Sequence, residues 1–136
     1  MTGFFSGWGS SSDGLRERFG TLPERYTQYD LVLAWETKSL GSGTVIDGVV
    51  KNVRYAYLDG LEVWVEVLDA SGKAAVRASC FIIPNRLRQD QMAPFTIELP
   101  IPGEPGTLLR FTYRYQGTED GGGNFQSFEV SLPPPR

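Results

Sequence analysis

Residues 61–73 read LEVWVEVLDASGK, and this stretch decides the fold of the chain. Apolar residues alternate here with Glu62, Trp64 and Glu66, a period of two that is typical of a β-strand with one buried and one solvent-facing side. The segment Asp69–Gly72 follows as a type I turn with glycine where a positive φ is needed, so we predict a hairpin. Four side chains are expected to face a core: Leu61, Val63, Val65 and Val67.

Six other segments have the composition and alternation of short strands: residues 30–36, 44–53, 74–83, 95–99, 109–115 and 126–132. Glycine, proline and aspartate separate them at spacings of about ten residues, which is typical of two-sheet antiparallel folds. We therefore predict an all-β, Ig-like or fibronectin-III-like antiparallel β-sandwich of about seven strands, preceded by a short N-terminal helix or turn.

A chain of 136 residues is long enough for one domain with its own core. We place the sandwich at residues 29–132, an N-terminal tail with a short helical segment at 1–28, and a proline-rich C-terminal tail at 133–136. Asp13 is the expected cap of the helical segment and Gly20 its stop. The Gly/Ser-rich start carries Phe4, Phe5 and Trp8, which suit either a flexible tail or a docking arm.

Charge and hydropathy exclude two classes of partner. The formal net charge is −3 and the basic residues are scattered, so we expect no nucleic-acid binding. No stretch approaches about 18 consecutive apolar residues, so no membrane span is predicted. The N-terminus lacks the pattern of an export signal. A cytoplasmic location is expected for the chain as written, and a cell-envelope location if it is a processed form.

The sequence lacks the combinations of residues that common catalytic sites need. There is no histidine, and the single cysteine, Cys80, sits in a predicted strand as a small apolar residue. Glu62 and Glu66 are four apart on one strand, about 13 Å, which is too far for a glycosidase pair. We expect a solvated face there, no catalytic residue, no cofactor and no metal, and hence no enzyme.

Three short motifs resemble those of the FxLYD-type bacterial domains, in the order Gly48-Val49-Val50-Lys51-Asn52, Val65 to Gly72, and Ala93-Pro94-Phe95-Thr96-Ile97. Val65, Val67 and Leu68 stand where the family name has Phe, Leu and Tyr. The Gly-x-Val-x-Asn strand and the hairpin are also similar to the water-stress sandwiches related to late-embryogenesis proteins. Both resemblances imply an Ig-like sandwich, and the first implies an accessory or interaction module.

The matching positions also have physical roles of their own. Gly48 lies within a strand, where a missing side chain permits a bulge or a close approach of the other sheet. Asn52 ends that strand, where its amide can cap loop backbone. Asp69 and Gly72 are turn residues. We expect all four to specify the fold.

The sequence therefore predicts a non-catalytic interaction or accessory module of bacterial type. The alternative is a glycan- or peptide-binding sandwich that uses aromatic side chains around Trp64, with Tyr55 and Tyr57 in a loop and Glu62 and Glu66 on the same face. In that alternative Trp64 lies in an open groove, whereas in the first the N-terminal segment covers it.

The predicted partner is another protein or a second copy of the chain. Residues 126–132 and 30–36 carry little charge, so either strand is a candidate for an edge that pairs with a second chain. The competing expectation is that the N-terminal segment folds over that edge.

Overall fold

The computed structural model of the protein describes residues 12–117 and 123–134, and these form one helix and nine strands. The helix α1 spans Ser12–Thr21. The strands are β1 (Glu24–Thr27), β2 (Leu31–Leu40), β3 (Gly43–Asn52), β4 (Leu58–Leu68), β5 (Ala74–Phe81), β6 (Arg86–Leu87), β7 (Met92–Leu99), β8 (Leu108–Gly117) and β9 (Gly123–Ser131). Phe4, Phe5 and Trp8 lie outside the described residues, as does the side chain of Asp13.

The strands form two antiparallel sheets, which confirms the predicted Ig-like β-sandwich. The first sheet has the order β1-β2-β3-β7 and the second the order β5-β4-β8-β9, with β6 paired to the start of β4. All seven predicted strands are present. Among the described strands β9 is at the edge of the second sheet, as predicted for residues 126–132. The first predicted strand, β2, is instead paired on both sides over Val32–Trp35.

Two short strands, β1 and β6, were not predicted. β1 lies within residues 1–28, which the sequence assigned to the tail and helix, and it has four residues with one large apolar side chain, Tyr26. β6 has two residues inside a polar connection, and its Leu87 is fully buried. Neither strand is long enough to show an alternating pattern, so tertiary pairing alone defines them.

The core lies between the sheets, and the inward residues of β4 are central to it. Leu61, Val63, Val65 and Val67 are all buried there, as predicted. Gly48 corrects one expectation, because the strand register runs through it without a bulge. The ring of Phe95, on the neighbouring strand of the same sheet, fills the space where a Cβ of Gly48 would stand. The close approach is therefore within one sheet and not between two.

The helix α1 covers the outer face of the first sheet. Leu15 and Leu22 pack with Ala34 of β2 and Val49 of β3 in a small second cluster. Arg18 adds an ion pair with Asp47, at 3.1 Å between Nη2 and Oδ2. The helix ends at Thr21, one residue beyond the predicted stop. One outer face of the sandwich is thus closed by the chain itself.

The two predicted loop contacts are confirmed. Asn52 is buried, and its Nδ2 donates to the carbonyl oxygens of Ala56 and Leu87 at 3.0 and 2.9 Å. Oδ1 of Asp69 accepts from the backbone N–H groups of Ser71 and Lys73, and Gly72 has a φ of 87°. These bonds hold the β3–β4 loop and the β4–β5 hairpin in place.

Candidate functional site

Three rows of side chains cross the outer face of the second sheet, because the registers of its four long strands align outward positions. We call these twelve residues the groove face. The first row is Phe81, Glu62, Arg114 and Phe125; the second is Ser79, Trp64, Thr112 and Ser127; the third is Arg77, Glu66, Arg110 and Glu129. Three glutamates and three arginines leave this surface with no formal net charge.

A groove of about 850 Å³ lies on this face and is lined by residues of all three rows, together with residues at the start of β4, the end of β8 and the start of β9. Trp64 and Thr112 line it on the central strands β4 and β8. Phe81 on β5 and Phe125 on β9 line it at the two edges, and these rings are 69% and 73% exposed. Single exposed apolar side chains are common on proteins, whereas several that line one groove are typical of a binding surface.

The two glutamates of β4 are covered by arginines, so the expectation of a solvated face is wrong for them. Glu62 accepts from Arg114 Nε at 2.8 Å, and its side chain is only 6% exposed. Glu66 accepts from Arg110 Nε at 2.8 Å through Oε1, and from Arg77 Nη2 at 2.9 Å through Oε2. The hydrogen bond from Arg110, followed by that from Arg77, lowers the pKa of Glu66 against the opposing effect of burial.

Trp64 is half-buried among these charged side chains, and the guanidinium carbon of Arg77 is 5.4 Å from its ring centroid. The ring therefore lines the groove without offering an open flat face on that side. The helix α1, which is the described part of the N-terminal segment, lies on the other sheet. Residues 1–11, on which the predicted N-terminal cover depends, lie outside the described residues.

Tyr55 and Tyr57 do not join the groove, which corrects the predicted aromatic cluster. Tyr55 lies in the connection between β3 and β4 and is 92% exposed. Tyr57 packs under Arg86, whose Cζ is 4.7 Å from the ring centroid, and Arg86 is also paired with Asp59. Of the predicted binding residues, only Glu62, Trp64 and Glu66 are brought together.

The residues that the sequence did not single out are the two edge phenylalanines and the three arginines. For Phe81 and Arg77 the signal is the alternation of β5, whose Val76, Ala78 and Cys80 pack on the core. The turn at residues 69–72 joins β4 to β5, and the register then shifts by one residue between Val67 and Leu68. This shift places Phe81 beside Glu62 and Arg77 beside Glu66. The neighbours contributed by β8 and β9 depend on long-range pairing, which no local pattern specifies.

A second polar cluster is buried between the sheets. Asp30 accepts from the hydroxyl of Tyr113 at 3.0 Å and from that of Tyr115 at 2.6 Å, one through each carboxylate oxygen. Burial raises the pKa of both phenols, and the neighbouring carboxylate raises it further. The cluster therefore ties the start of β2 to the second sheet as a structural link.

The remaining chemistry of the described residues is sparse. Cys80 is half-buried against the core, and burial raises the pKa of its thiol. Within residues 12–117 and 123–134, no three His, Cys, Asp or Glu side chains are grouped as a metal site would need. The described helix is too short and too polar to cross a membrane.

The chain is an Ig-like β-sandwich domain, and comparison with solved structures supports that class. It is similar to the GAE domain of GGA2p from Saccharomyces cerevisiae, with a TM-score of 0.59 and 11% identity over 82% of this chain and 99% of that domain. The yeast GGA1 GAE domain gives 0.59 and 14% over 82% and 100%. A Bordetella pertussis protein designated ApaA gives 0.57 and 19% over 81% and 98%. At these identities the likeness concerns the fold alone.

No family model matches the sequence, and no curated protein matches it.

Proposed function

We propose that this domain is a non-catalytic interaction module that binds a partner protein through the groove face. The observation that carries the proposal is the groove between Phe81 and Phe125, with Trp64 at its floor. Half of the twelve side chains of the groove face are phenylalanine, tryptophan or arginine, and none is lysine. Protein–protein interfaces are enriched in aromatic residues and arginine and depleted in lysine.

The arginines of the groove face are held ready for a ligand. Arg110 donates a hydrogen bond from Nε to Glu66, and Arg114 donates one from Nε to Glu62. Among the described residues, neither side chain makes a second hydrogen bond. The terminal Nη nitrogens are left for the carbonyl or carboxylate oxygens of a partner. A guanidinium already fixed by a neighbouring carboxylate loses less rotational freedom on binding than a free side chain does.

A peptide suits this surface better than a glycan. Sugar binding by aromatic side chains needs an open ring face, and Arg77 packs over one face of Trp64. A peptide can place apolar side chains against Phe81 and Phe125 and its backbone carbonyls against the arginines. We therefore favour a protein or peptide ligand over the glycan alternative.

Two further parts of the proposal concern class and chemistry. We propose that the chain is a bacterial accessory domain of the FxLYD type, supported by the turn roles of Asp69 and Gly72 and the capping role of Asn52. Its non-catalytic character is supported by Glu66, both of whose oxygens accept from arginines and are not presented to a substrate.

The test is a selection from a random-peptide display library on the wild-type domain, followed by affinity measurements with the selected synthetic peptides. The variant Phe81→Ala/Phe125→Ala removes both exposed rings from the groove and leaves the core intact. We expect it to bind the peptides at least about tenfold more weakly. The control Tyr55→Ala removes a still more exposed ring outside the groove and is expected to bind as wild type does.

Two outcomes would contradict the proposal. Selected peptides that bind the double variant as tightly as wild type would place the binding surface elsewhere. A glycan array that gives binding lost in the double variant, with no peptide showing the same dependence, would favour the glycan alternative.

A further inference from the structure

The four edges of the two sheets differ in how they are protected against pairing with another strand. In the first sheet, β1 has only four residues and β7 carries Pro94, which cannot donate a backbone hydrogen bond. In the second sheet, β5 has Arg77 at its middle, and its register against β4 shifts between Val67 and Leu68. Short length, proline, charge and bulges are the devices by which edge strands avoid association.

The remaining edge, β9, lacks these devices over most of its length. It pairs with β8 through nine residues without a register shift, from Gly123 to Ser131. It contains no proline, and its one charge, Glu129, lies near its end. The strand order places nothing beyond β9 among the described residues. A long, regular and nearly uncharged edge is suited to accept another strand.

We propose that two copies of the chain pair through β9, antiparallel, with Phe125 of each copy beside Phe125 of the other. This register joins the two most exposed rings of the strands, and it pairs Ser127 with Gly123 of the second copy. Each Glu129 is four residues from the two-fold axis, on opposite sides of it, so the two Glu129 side chains do not face each other. A foreign strand would need its own complement to Phe125, whereas a second copy supplies it.

The symmetry of this pairing determines where the grooves lie. Residues that face each other across an antiparallel pair point to the same side of the sheet, so the two-fold axis is perpendicular to the joined sheet. Both grooves then open on one face, with the paired Phe125 rings between them. This inference goes beyond the proposed function and does not require it.

The test measures the mass of the full-length chain by sedimentation over a wide concentration series. We expect wild type to be a dimer, and Phe125→Lys to be a monomer with an unchanged circular dichroism spectrum. Phe81→Lys is the matched control, because Phe81 stands at the other end of the same row with nearly the same exposure. It alters the groove equally and should leave the dimer intact.

Each departure from that pattern overturns the inference. A wild-type chain that stays monomeric at the highest concentration would assign the edge to another occupant, such as a foreign strand or residues 1–11. Dimers that survive Phe125→Lys, or dissociate with Phe81→Lys, would exclude β9 as the interface. Both variants alter the groove, so the proposed function predicts that both lose peptide binding. The dimer inference predicts that only Phe125→Lys changes the mass, so the two proposals can fail independently.

A cross-linking experiment checks the register. Directly opposed residues have Cβ atoms about 4.5–5.5 Å apart, and a disulfide forms with small adjustment at such a site. In a Cys80→Ala background, Phe125→Cys is expected to give a covalent dimer on air oxidation, and Phe81→Cys to stay monomeric on a denaturing gel. A dimer in solution without this cross-link would contradict the Phe125 register.

Discussion

The two outer faces of this sandwich are built from the same alternating strands but are completed in opposite ways. On the first sheet, the outward Ala34 and Val49 are fully buried, because Leu15 of α1 and Leu22, which follows α1, pack onto them. On the second sheet, the corresponding positions carry the groove face, where Phe81 and Phe125 stand open to water.

The inward residues of the two sheets form one shared core, so the two faces differ only in their outward residues. Small apolar residues leave a flat surface that a helix can cover. A row of arginine, glutamate and tryptophan satisfies its own charges across the strands and leaves rings accessible at its edges. We interpret the covered face as structural, and the groove face, which no described segment covers, as the one available to a partner.

The largest effect is expected in the core that both faces share. Val65 is fully buried on β4, between Ala78 and Phe111 on the neighbouring strands. Val65→Asp introduces an unpaired charge there and should destabilise the fold by more than about 4 kcal/mol, a large part of the roughly 5–15 kcal/mol that stabilises an ordinary domain. Thermal unfolding measures this, and a variant that melts within a few degrees of wild type would show the inward register to be wrong.

The next effect compares the two faces directly. Val49→Asp places a carboxylate beneath α1 and should lower the free energy of unfolding by about 3 kcal/mol. Thr112→Asp makes the equivalent change on the groove face, between two arginines of β8. It should change the free energy of unfolding by about 1 kcal/mol or less. Urea unfolding of both variants gives the comparison. Equal effects would mean that α1 does not seal the first face.

The fold was largely predictable because the sheets follow local patterns. The seven long strands, the inward residues of β4 and the turn at Asp69–Gly72 each follow from alternation and turn chemistry within a dozen residues. β1 and β6 were not predictable, because strands of four and two residues exist only through their partners.

The candidate site was predictable only in part. Glu62, Trp64 and Glu66 were found because they share one face of one strand. The arginines that cover them come from β5 and β8, and the exposed rings from β5 and β9, so their proximity depends on sheet order. Tyr55 and Tyr57 were grouped with Trp64 because they are close to it in sequence and were expected to be exposed. Neither property determines which way a loop side chain points.

The hairpin that carries β5 gives a smaller effect. Gly72 has a φ of 87°, a conformation in which a β-branched residue is strained. Gly72→Val should destabilise by about 1–2 kcal/mol, whereas Ala70→Val in the same turn should be close to neutral. Chemical unfolding distinguishes them. If the effect also reduces peptide binding, the groove depends on how firmly the hairpin holds β5.

The smallest effect concerns the ion pairs between glutamates and arginines on the groove face. The hydrogen bonds from Arg110 and Arg77 lower the pKa of Glu66 below its ordinary value of 4.5. A lowered folded-state pKa stabilises the fold above the unfolded pKa, and that stability is lost as the pH falls through the folded value. Because Arg77 is 59% exposed, solvent screening keeps the contribution at about 1 kcal/mol or less.

Glu66→Gln isolates this contribution, with Glu129→Gln in the same row as its control. Urea unfolding at neutral pH should show Glu66→Gln to be less stable than wild type, and the gap should close as the pH falls below about 4.5. The gap at neutral pH should also narrow in high salt, because the arginines lie at the surface. Glu129→Gln should follow wild type throughout. A stability difference that persists in acid would mean that Glu66 stabilises the fold through packing and not through its charge. The groove face would then resemble the face under α1, where apolar packing stabilises the fold.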